Sequence, residues 1–552
     1  MKKSRHLARL ITISIFFATI LLILIWRMLD LTILHRQFLE GQGNARSLRI
    51  IDLPAYRGMI TDRNGTPLAI STPVKSVWIN PKEFAPDKEQ FMKLANYLSL
   101  SPVALSRKIV NTQSREFLYL IRQIPPMLSK NIKTLHITGL YFQKEFKRYY
   151  PDSDSISQLL GFTNIDDQGL EGIELAYQDW LMGVVGKKTV IKDRIGRIID
   201  ERGILKKPRP GNDLALSIDK RLQYLAFSEL NKTIEEFAAS SGTVVVLDAE
   251  SGEILAIANA PSYNPNARGQ YDRNTYRNRA LTDTFEPGSV IKPFSIASAL
   301  ETGLFTPKSI IDTNPSFMTV HGHQVRDIHN YGVLDVTGVL LHSSNVGVTK
   351  MVLASPPEQL IELFQRAGFG QRTGSAYPGE AEGSIVKAKD ANPFVLATLG
   401  FGYGMSVTAL QLAQANLIFA NQGKSKPVTL IFNDNQTPGI QVISPKTAQE
   451  VLKMMEAVVM EGTGKEAQVP GYRVAGKTGT AWVAGKKGYM EKKYTASFIG
   501  IAPVSKPKFI VAVIIHEPSR KGYYATAVAA PLFSKVMAGS LRLFNIPTDG
   551  PV

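Results

Sequence analysis

The chain of 552 residues contains no cysteine. This absence excludes disulfide bonds, thiol nucleophiles and metal sites built on cysteine thiolates. The folded parts must therefore be stabilised by burial of apolar side chains, and the length allows about two to four domains. Apolar residues make up 44% of the sequence and charged residues 20%, which is typical of a folded protein.

Acidic residues are also scarce, since 47 Asp and Glu face 64 Lys and Arg and leave a net charge of +17. A nucleic-acid-binding protein concentrates its basic residues in one stripe or in a known binding motif. Here they are scattered over the whole chain, so we predict no nucleic-acid partner. The charge instead favours attraction to an anionic lipid surface or an anionic wall polymer.

No acidic residue precedes Asp30, and the segment before it has the composition of a membrane anchor. Four basic residues lead into an apolar run over 10–26 that is interrupted only by hydroxyl side chains. We predict a cytoplasmic tail over 1–9 and a transmembrane helix over 10–29, with the rest of the chain exported. The alternative is a cleaved signal peptide, but no small-residue cleavage site follows the apolar run.

The pattern after the anchor changes once. Residues 30–225 are predicted to form one module, which begins with a helix over 31–49 that continues out of the membrane. The region of about 45–225 mixes short alternating strands with helical segments at 88–99 and 126–135, and it contains no convincing catalytic cluster. A stretch rich in proline and glycine then leads into residues 226–545, which we predict to form a second, α/β domain. Residues 546–552 are predicted to be a short tail.

The second domain begins and ends with strands. A β-hairpin is predicted over 242–258, and two further strands at 496–501 and 509–516. A closing helix is predicted from about residue 531 to residue 543. Strands at both ends of a long helical stretch indicate an antiparallel sheet that joins the two ends of the domain.

Three short motifs within this domain share one chemistry. They are S-x-x-K at 289–292, S-x-N at 343–345 and K-T-G at 477–479. Serine enzymes that acylate themselves on D-alanyl peptides or β-lactams carry these motifs in this order. Each motif alone is weak, because a serine at a helix cap or a solvated lysine is common. The order and context of all three together carry the prediction.

Ser289 is the candidate nucleophile and Lys292 its candidate base. Pro293 is tolerated only in the first turn of a helix, so a helix is predicted to begin at about Ser289. Ser289 then lies at the positive end of the helix dipole, with Lys292 on the same face. Lysine acts as a base only when neutral, so its pKa must be lowered by desolvation or by a neighbouring cation, for which Lys477 is the candidate.

The other candidates relay protons or bind substrate. Ser343 can pass a proton between the base and a leaving amine, and Asn345 offers a donor and an acceptor to a substrate backbone. Lys477 supplies charge for a carboxylate. An adjoining strand edge is predicted to align an extended peptide through Thr478, Gly479 and Thr480. The N–H groups of Ser289 and Thr480 are predicted to form the oxyanion hole.

Two other kinds of site are weighed and rejected. Residues 471–478 match the phosphate loop G-x-x-x-x-G-K-T, but that loop needs a strand before it and a helix after it. Here Pro470 precedes the match and β-favouring residues follow it. His321, His323 and His329 stand without an H-E-x-x-H motif, so we predict neither a metal nor another cofactor.

The chain resembles the class B penicillin-binding proteins, most closely the division-specific peptidoglycan D,D-transpeptidases. The resemblance covers nearly the whole chain. Besides the three motifs, it rests on residues 56–65, 148–151, 161–164, 169–172, 261–266, 285–289 and 402–404. It implies a penicillin-binding and β-lactamase-like α/β transpeptidase domain, an elongated α+β module before it and one transmembrane helix.

The resemblance also implies a function. Ser289 is expected to attack a D-Ala-D-Ala stem peptide, release D-Ala and pass the acyl group to an amine of a neighbouring stem, with β-lactams as covalent inhibitors. Implied partners are peptidoglycan stem peptides, a septal glycan polymerase and other division proteins of the membrane. The implied location is the bacterial inner membrane, with a single span, a cytoplasmic N-terminus and a periplasmic bulk.

Three alternatives remain open at this point. One is the elongation-specific transpeptidase of the same family. A second is a hydrolytic relative, either a D,D-carboxypeptidase or a β-lactamase, in which water accepts the acyl group. The third is a scaffold or β-lactam sensor without turnover.

Overall fold

The structure, a computed structural model, describes residues 2–112, 114–193, 198–432, 438–485 and 488–550. Residues 551–552 of the predicted tail lie outside this part. Contacts divide the chain into two compact units. The first unit comprises Met1–Tyr56, Pro73–Phe146 and Gly183–Gly211, and the second comprises Arg57–Thr72, Lys147–Met182 and Asn212–Val552.

A long apolar helix, Lys2–Leu29, begins the first unit. A π-helical turn, Asp30–Leu34, and the helix Arg36–Ser47 follow it. In the described part of the chain, residues His6–Leu34 form the one stretch that is long and apolar enough to cross a membrane, and none of it is buried. A helix of 28 residues rises about 42 Å, which exceeds the hydrocarbon thickness of a bilayer.

Strands and helices alternate in the remainder of the first unit. An antiparallel sheet has the order Leu48–Leu53, Gly186–Lys192, Ile198–Lys206. The helices are Lys88–Tyr97, Pro102–Val110 and Pro126–Lys133, and Leu118–Ile124 is a further strand. The helices predicted at 88–99 and 126–135 are confirmed, and each ends slightly earlier than predicted.

The helix Lys88–Tyr97 illustrates why these segments fold locally. The side chain of Asp87 accepts a hydrogen bond from the N–H of Gln90, and the Gln90 side chain accepts one from the N–H of Asp87. This reciprocal pair satisfies two backbone donors at the start of the helix. Leu94 then packs into the core of the unit beside Val77.

An antiparallel sheet of five strands forms the centre of the second unit. Its order is Ile254–Ala260, Ser241–Asp248, Phe509–His516, Gly488–Ala502 and Ala475–Gly485. Strands from the start and the end of the domain thus pair side by side, as the sequence predicted. We call Ala475–Gly485 the K-T-G strand, and it forms an edge of this sheet in the described part of the chain.

Both faces of this sheet are buried. Val244 and Val246 belong to the core on one face, where the helices Lys220–Phe237 and Ala525–Leu543 pack. Val245 and Leu247 point to the opposite face and join a second, larger core. Successive side chains of a strand alternate between faces, so a continuous run of valine and leucine is what a sheet between two helical layers requires.

The other elements of the second unit surround this sheet. The helices are Ser157–Leu160, Gly172–Ala176, Gln178–Leu181, Arg279–Thr282, Lys292–Glu301, Val336–Leu341, Asn345–Ala354, Pro357–Arg366, Pro393–Gly400, Ala409–Ala415, Leu417–Ala420 and Pro445–Met460. The shorter strands are Ile60–Thr61, Leu214–Ala215, Ile310–Asp312, Phe317–Val320, His323–Arg326, Val333–Asp335, Lys424–Ser425 and Ile440–Gln441. Strands Pro67–Ile79 and Leu140–Tyr149 contain residues of both units.

The closing helix begins earlier than predicted. It spans Ala525–Leu543, so that Pro531 lies inside it rather than at its start. An interior proline removes one backbone hydrogen bond and normally breaks a helix. Here Val528 and Phe533 are fully buried against the sheet on either side of the proline. This burial offsets the lost bond, which local sequence rules cannot anticipate.

A buried ionic cluster lies within the second unit. The carboxylate of Glu174 accepts a hydrogen bond from Nε of Arg57 and another from Nε of Arg148, each at 2.6 Å. All three side chains are almost completely buried. Arg57 also donates to the side chain of Gln178 at 2.8 Å. A charge network of this kind is stable only while every member keeps its partner.

We expect Glu174→Gln to reduce the free energy of unfolding by about 3–5 kcal/mol, because two buried guanidinium groups would then face a neutral amide. Urea denaturation of the purified protein in detergent measures the loss. The control is Glu116→Gln, which removes an exposed partner of Lys82 and should change stability little. Equal stability of the two variants would contradict the importance of the cluster.

Candidate active site

One cavity of about 330 Å³ brings together residues of all three motifs. Its lining consists of Ser289, Ser343, Asn345, Thr478 and Thr480 with Ile328, Tyr331, His342, Tyr403, Thr463, Trp482, Tyr494, Tyr523, Tyr524 and Thr526. Lys292 and Lys477 are fully buried, and each contacts a residue of this lining. Gly479 is buried in the K-T-G strand. The structure therefore gathers the predicted site residues in one place.

Ser289 lies in a 3₁₀ turn, Gly288–Ile291, rather than in the α-helix itself. The α-helix begins at Lys292, three residues later than the predicted start, and Pro293 occupies its first turn. The expectation about proline is therefore right, and only the helix boundary is shifted. Ser289 still lies at the N-terminal end of the helix, where the dipole favours developing negative charge.

Residues 402–404 hold this turn in place. The N–H of Gly288 donates to the carbonyl of Gly402 at 3.0 Å, and the N–H of Gly404 donates to the carboxylate of Glu286 at 2.9 Å. Gly402 has a φ of +87°, and a Cβ there would lie 2.1 Å from the carbonyl oxygen of Gly288. Only glycine permits so close an approach of the two backbones.

Three oxygen atoms of the S-x-N motif lie within hydrogen-bond distance of the Lys292 amine. Its Nζ lies 2.5 Å from the carbonyl oxygen of Ser343, 3.1 Å from the Ser343 hydroxyl and 2.7 Å from Oδ1 of Asn345. Burial lowers the pKa of Lys292 well below its usual value, and the positive charge of Lys477 lowers it further, while Asp327 opposes the shift. Both causes proposed from the sequence thus operate.

Ser343 has an unusual backbone. It lies between the helices Val336–Leu341 and Asn345–Ala354 with a φ of +57°, in the left-handed region that serine rarely adopts. Such a conformation costs about 1–3 kcal/mol and persists only where the surroundings enforce it. In this conformation both the carbonyl and the hydroxyl of Ser343 lie within hydrogen-bond distance of Lys292.

Asp327 organises the S-x-N motif, and sequence reasoning missed it. Its carboxylate accepts hydrogen bonds from the Ser344 hydroxyl at 2.5 Å and from the N–H groups of Asn345 and Val346 at 2.5 and 3.0 Å. An acid at the N-terminus of a helix satisfies free backbone donors and suits the helix dipole. Nothing near Asp327 in the sequence signals this role, because it follows a short strand remote from the motif.

Lys477 and Thr478 lie within the K-T-G strand. The Lys477 Nζ donates to the Thr478 carbonyl at 3.1 Å. Burial lowers the pKa of Lys477 to about 7. Because the lysine and threonine of the G-x-x-x-x-G-K-T match belong to a strand and not to a helix, the phosphate-loop alternative is wrong, as the sequence context indicated.

Aromatic side chains form much of the cavity wall and were also missed. Trp482 and Tyr494 have ring centroids 4.6 Å apart, and Tyr494 stacks on Tyr523 at 4.0 Å. Tyr523 in turn stacks on Tyr524 at 4.4 Å. Their clustering depends on the pairing of two strands and the start of the closing helix. No motif in the sequence links them.

The geometry suits acyl transfer. Ser289, at a helix N-terminus, shares the cavity with a second serine, Ser343, which is hydrogen-bonded to the buried Lys292 with its lowered pKa. These are the groups of an activated nucleophile and a proton relay. The edge strand presents the hydroxyl groups of Thr478 and Thr480 to the cavity, and the buried Lys477 amine lies 3.5 Å from the Thr478 hydroxyl. This arrangement suits an extended ligand that carries a negative charge. Among the described residues, no cluster of three or more His, Asp or Glu side chains is placed to hold a metal ion.

Both parts of the chain match known families. Residues 242–538 match the penicillin-binding protein transpeptidase domain, and residues 52–216 match the penicillin-binding protein dimerisation domain. The chain is 42% identical over 550 residues to a probable peptidoglycan D,D-transpeptidase, PbpC, of Pseudomonas aeruginosa, covering 100% of this chain and 97% of the relative. It is 40% identical over 532 residues to the peptidoglycan D,D-transpeptidase FtsI of Escherichia coli, covering 95% and 90%.

Two solved structures are similar to this chain over more than nine tenths of its length. A peptidoglycan synthetase from Bifidobacterium adolescentis has a TM-score of 0.73 at 25% identity, covering 92% of this chain and 98% of the other. Penicillin-binding protein 3 from Mycobacterium tuberculosis, complexed with aztreonam, has a TM-score of 0.71 at 26% identity, covering 91% and 99%.

Proposed function

The chain belongs to the class B penicillin-binding proteins, and on that premise we propose that it crosslinks peptidoglycan at the division septum through an acyl-enzyme on Ser289. It is a peptidoglycan D,D-transpeptidase of the serine type, the activity for which the FtsI relative of 40% identity is named. The observation that carries the proposed mechanism is that Lys292 is fully buried and that its amine is hydrogen-bonded to Ser343 and Asn345.

In the first step, the Ser289 hydroxyl oxygen attacks the carbonyl carbon between the two D-alanines of a stem peptide. Neutral Lys292 accepts the hydroxyl proton. The C–N bond then breaks, and the proton passes through Ser343 to the departing amine, so that free D-Ala leaves and an ester to Ser289 remains. The N–H groups of Ser289 and Thr480 stabilise the oxyanion that forms on the way.

In the second step, an amine of a neighbouring stem attacks the ester carbonyl. The new C–N bond replaces the C–O bond, the amine loses a proton to the Lys292 and Ser343 relay, and Ser289 regains its hydroxyl proton. Substrate is held by Asn345 and by the residues of the strand edge, Thr478, Gly479 and Thr480. Cationic Lys477, buried next to Thr478, supplies positive charge for the terminal carboxylate, and the same groups capture β-lactams.

We also propose the organisation around this site. Residues 1–9 are a cytoplasmic tail, 10–29 a single inner-membrane anchor and 30–225 a non-catalytic module. Residues 226–545 are the transpeptidase domain in the periplasm, followed by a tail over 546–552. The module is proposed to meet a septal glycan polymerase and other division proteins of the membrane. The apolar N-terminal helix supports the anchor.

The test is turnover of a stem peptide ending in D-Ala-D-Ala, with and without an acceptor amine. We expect release of D-Ala and an amide-linked dimer with the acceptor. Release of D-Ala without a dimer would instead indicate a carboxypeptidase. Rapid hydrolysis of the penicillin adduct would indicate a β-lactamase.

The site of action is tested in cells. Depletion of a division enzyme should give filaments, whereas depletion of an elongation enzyme should give round cells. A scaffold would still support growth after Ser289→Ala, which a transpeptidase does not.

A further inference from the structure

Two threonines of the K-T-G strand each have a protein partner for their hydroxyl group. The N–H of Ala525 donates to Oγ1 of Thr480 at 3.0 Å. Oγ1 of Thr478 lies 2.7 Å from Oγ1 of Thr463. Thr463, Thr478 and Thr480 all line the cavity. Thr463 belongs to none of the three motifs.

Whether each of these hydroxyl groups turns its proton or a lone pair toward the cavity decides whether it can bind an anion. A hydroxyl carries one proton and can accept two hydrogen bonds. Because Thr480 accepts from Ala525, its own proton stays available to a ligand. Thr478 has the same polarity only if Thr463 is the donor of their shared bond. If Thr478 donated instead, it would turn a lone pair toward the cavity and repel a carboxylate.

Lys477 favours the first arrangement. Its Nζ lies 3.5 Å from Oγ1 of Thr478 and 3.1 Å from the Thr478 carbonyl. A lysine amine in its charged form is only a donor, so it attracts a lone pair of the Thr478 hydroxyl. With both Lys477 and Thr463 donating, the two lone pairs of Thr478 are used within the protein. The proton is left for the cavity.

The start of the closing helix, which donates a hydrogen bond to Thr480, also holds Thr463 in place. Thr463 follows the helix Pro445–Met460, and its carbonyl accepts a hydrogen bond from the hydroxyl of Thr526 at 3.0 Å. Thr526 is the neighbour of Ala525 in the first turn of the closing helix. One helix start therefore both donates to Thr480 and holds the partner of Thr478.

We propose that Thr463 is a positioning residue, which donates to Thr478 and thereby directs the Thr478 proton to the carboxylate of the stem peptide or β-lactam. The inference rests on the proposed transpeptidase function. It assigns Thr463 a role in recognising the charge of the ligand and not in the chemical steps at Ser289.

The test compares benzylpenicillin with its methyl ester, which lacks the negative charge. The second-order rate of acylation is measured by intact mass on the full-length protein in detergent. We expect Thr463→Val to lower the rate with the free acid about tenfold, the effect of losing one hydrogen bond to a charged group. The rate with the ester should stay within about twofold, and Thr463→Ser should restore the acid rate.

Thr233→Val is the matched control, because it removes a threonine hydroxyl that donates to the Glu229 carbonyl and does not line the cavity. It should leave the ratio of acid to ester rates unchanged. Thr463→Ala replaces the valine variant if melting curves reveal misfolding. An unchanged ratio, an equal fall with both ligands, or a serine variant that behaves like valine overturns the role of Thr463 alone. Failure of the wild type to react with benzylpenicillin contradicts the proposed function itself.

Discussion

Ser289→Ala is expected to abolish labelling by fluorescent penicillin and to lower stem-peptide turnover by at least about a thousandfold. The hydroxyl oxygen of Ser289 is the atom that forms the acyl bond. Without it, the rest of the cavity can bind a ligand but cannot break the ligand's amide bond. The measurement is fluorescence of the protein band after denaturing electrophoresis, followed by intact mass to count adducts.

The chain offers a close control for this variant. Ser298 lies in the α-helix that follows Ser289, is buried, and its hydroxyl has no hydrogen-bond partner among the residues that the structure describes. Ser298→Ala should be labelled like the wild type, and melting curves should confirm that both variants fold. Persistent labelling of Ser289→Ala at one adduct per chain would place the nucleophile elsewhere and end the proposed mechanism.

Lys292→Met is expected to lower the rate of acylation by about 10²–10⁴-fold, the range for loss of a general base. Methionine occupies a similar buried volume but accepts no proton. Lys292→Arg should be equally inactive, because a guanidinium stays charged and cannot act as a base. Stopped-flow acylation by a chromogenic β-lactam measures the loss.

The exposed Lys232 supplies a control for this pair, since Lys232→Met removes a lysine outside the cavity. Its rate should match that of the wild type. An arginine variant that retained acylation would exclude Lys292 as the base.

The two buried lysines also predict a pH profile. The pKa of Lys292 is well below its usual value, so its neutral form, which is the base, gains population as the pH rises through that lowered pKa. Lys477 must be charged to bind a carboxylate, and its pKa of about 7 means that this charge is lost above neutral pH. The rate of acylation should therefore show a bell-shaped dependence on pH, in which the rise is due to deprotonation of Lys292 and the fall to deprotonation of Lys477.

Much of the fold could be predicted from local patterns. The strand at Ser241–Asp248 and the helix Lys220–Phe237 follow from the spacing of their apolar residues. The closing helix was placed too late because Pro531 is a local signal for a helix start. Its observed position depends on burial of Val528 and Phe533, which requires the sheet to be in place.

The residues of the candidate site likewise fall into two groups, those that local motifs predict and those that only the packing of distant segments brings together. The candidate nucleophile and both lysines were predicted from motifs, since acyl transfer needs those residue types at short spacings. Asp327 and Thr463 could not be found in that way. Each acts through a hydrogen bond to a residue 15 or more positions away in the sequence, and such a bond exists only where the packing of helices and strands brings the two side chains together.

The sequence by itself determined the chemistry of this protein: an apolar anchor, a sheet built from both ends of one domain, and three motifs for serine acyl transfer. The tertiary structure alone decided the electrostatics of the site. It buried Lys292 beside Lys477, directed its amine to Ser343 and Asn345, and placed Thr463 against Thr478. Desolvation and hydrogen-bond direction depend on every neighbouring side chain, and those neighbours come from distant parts of the chain.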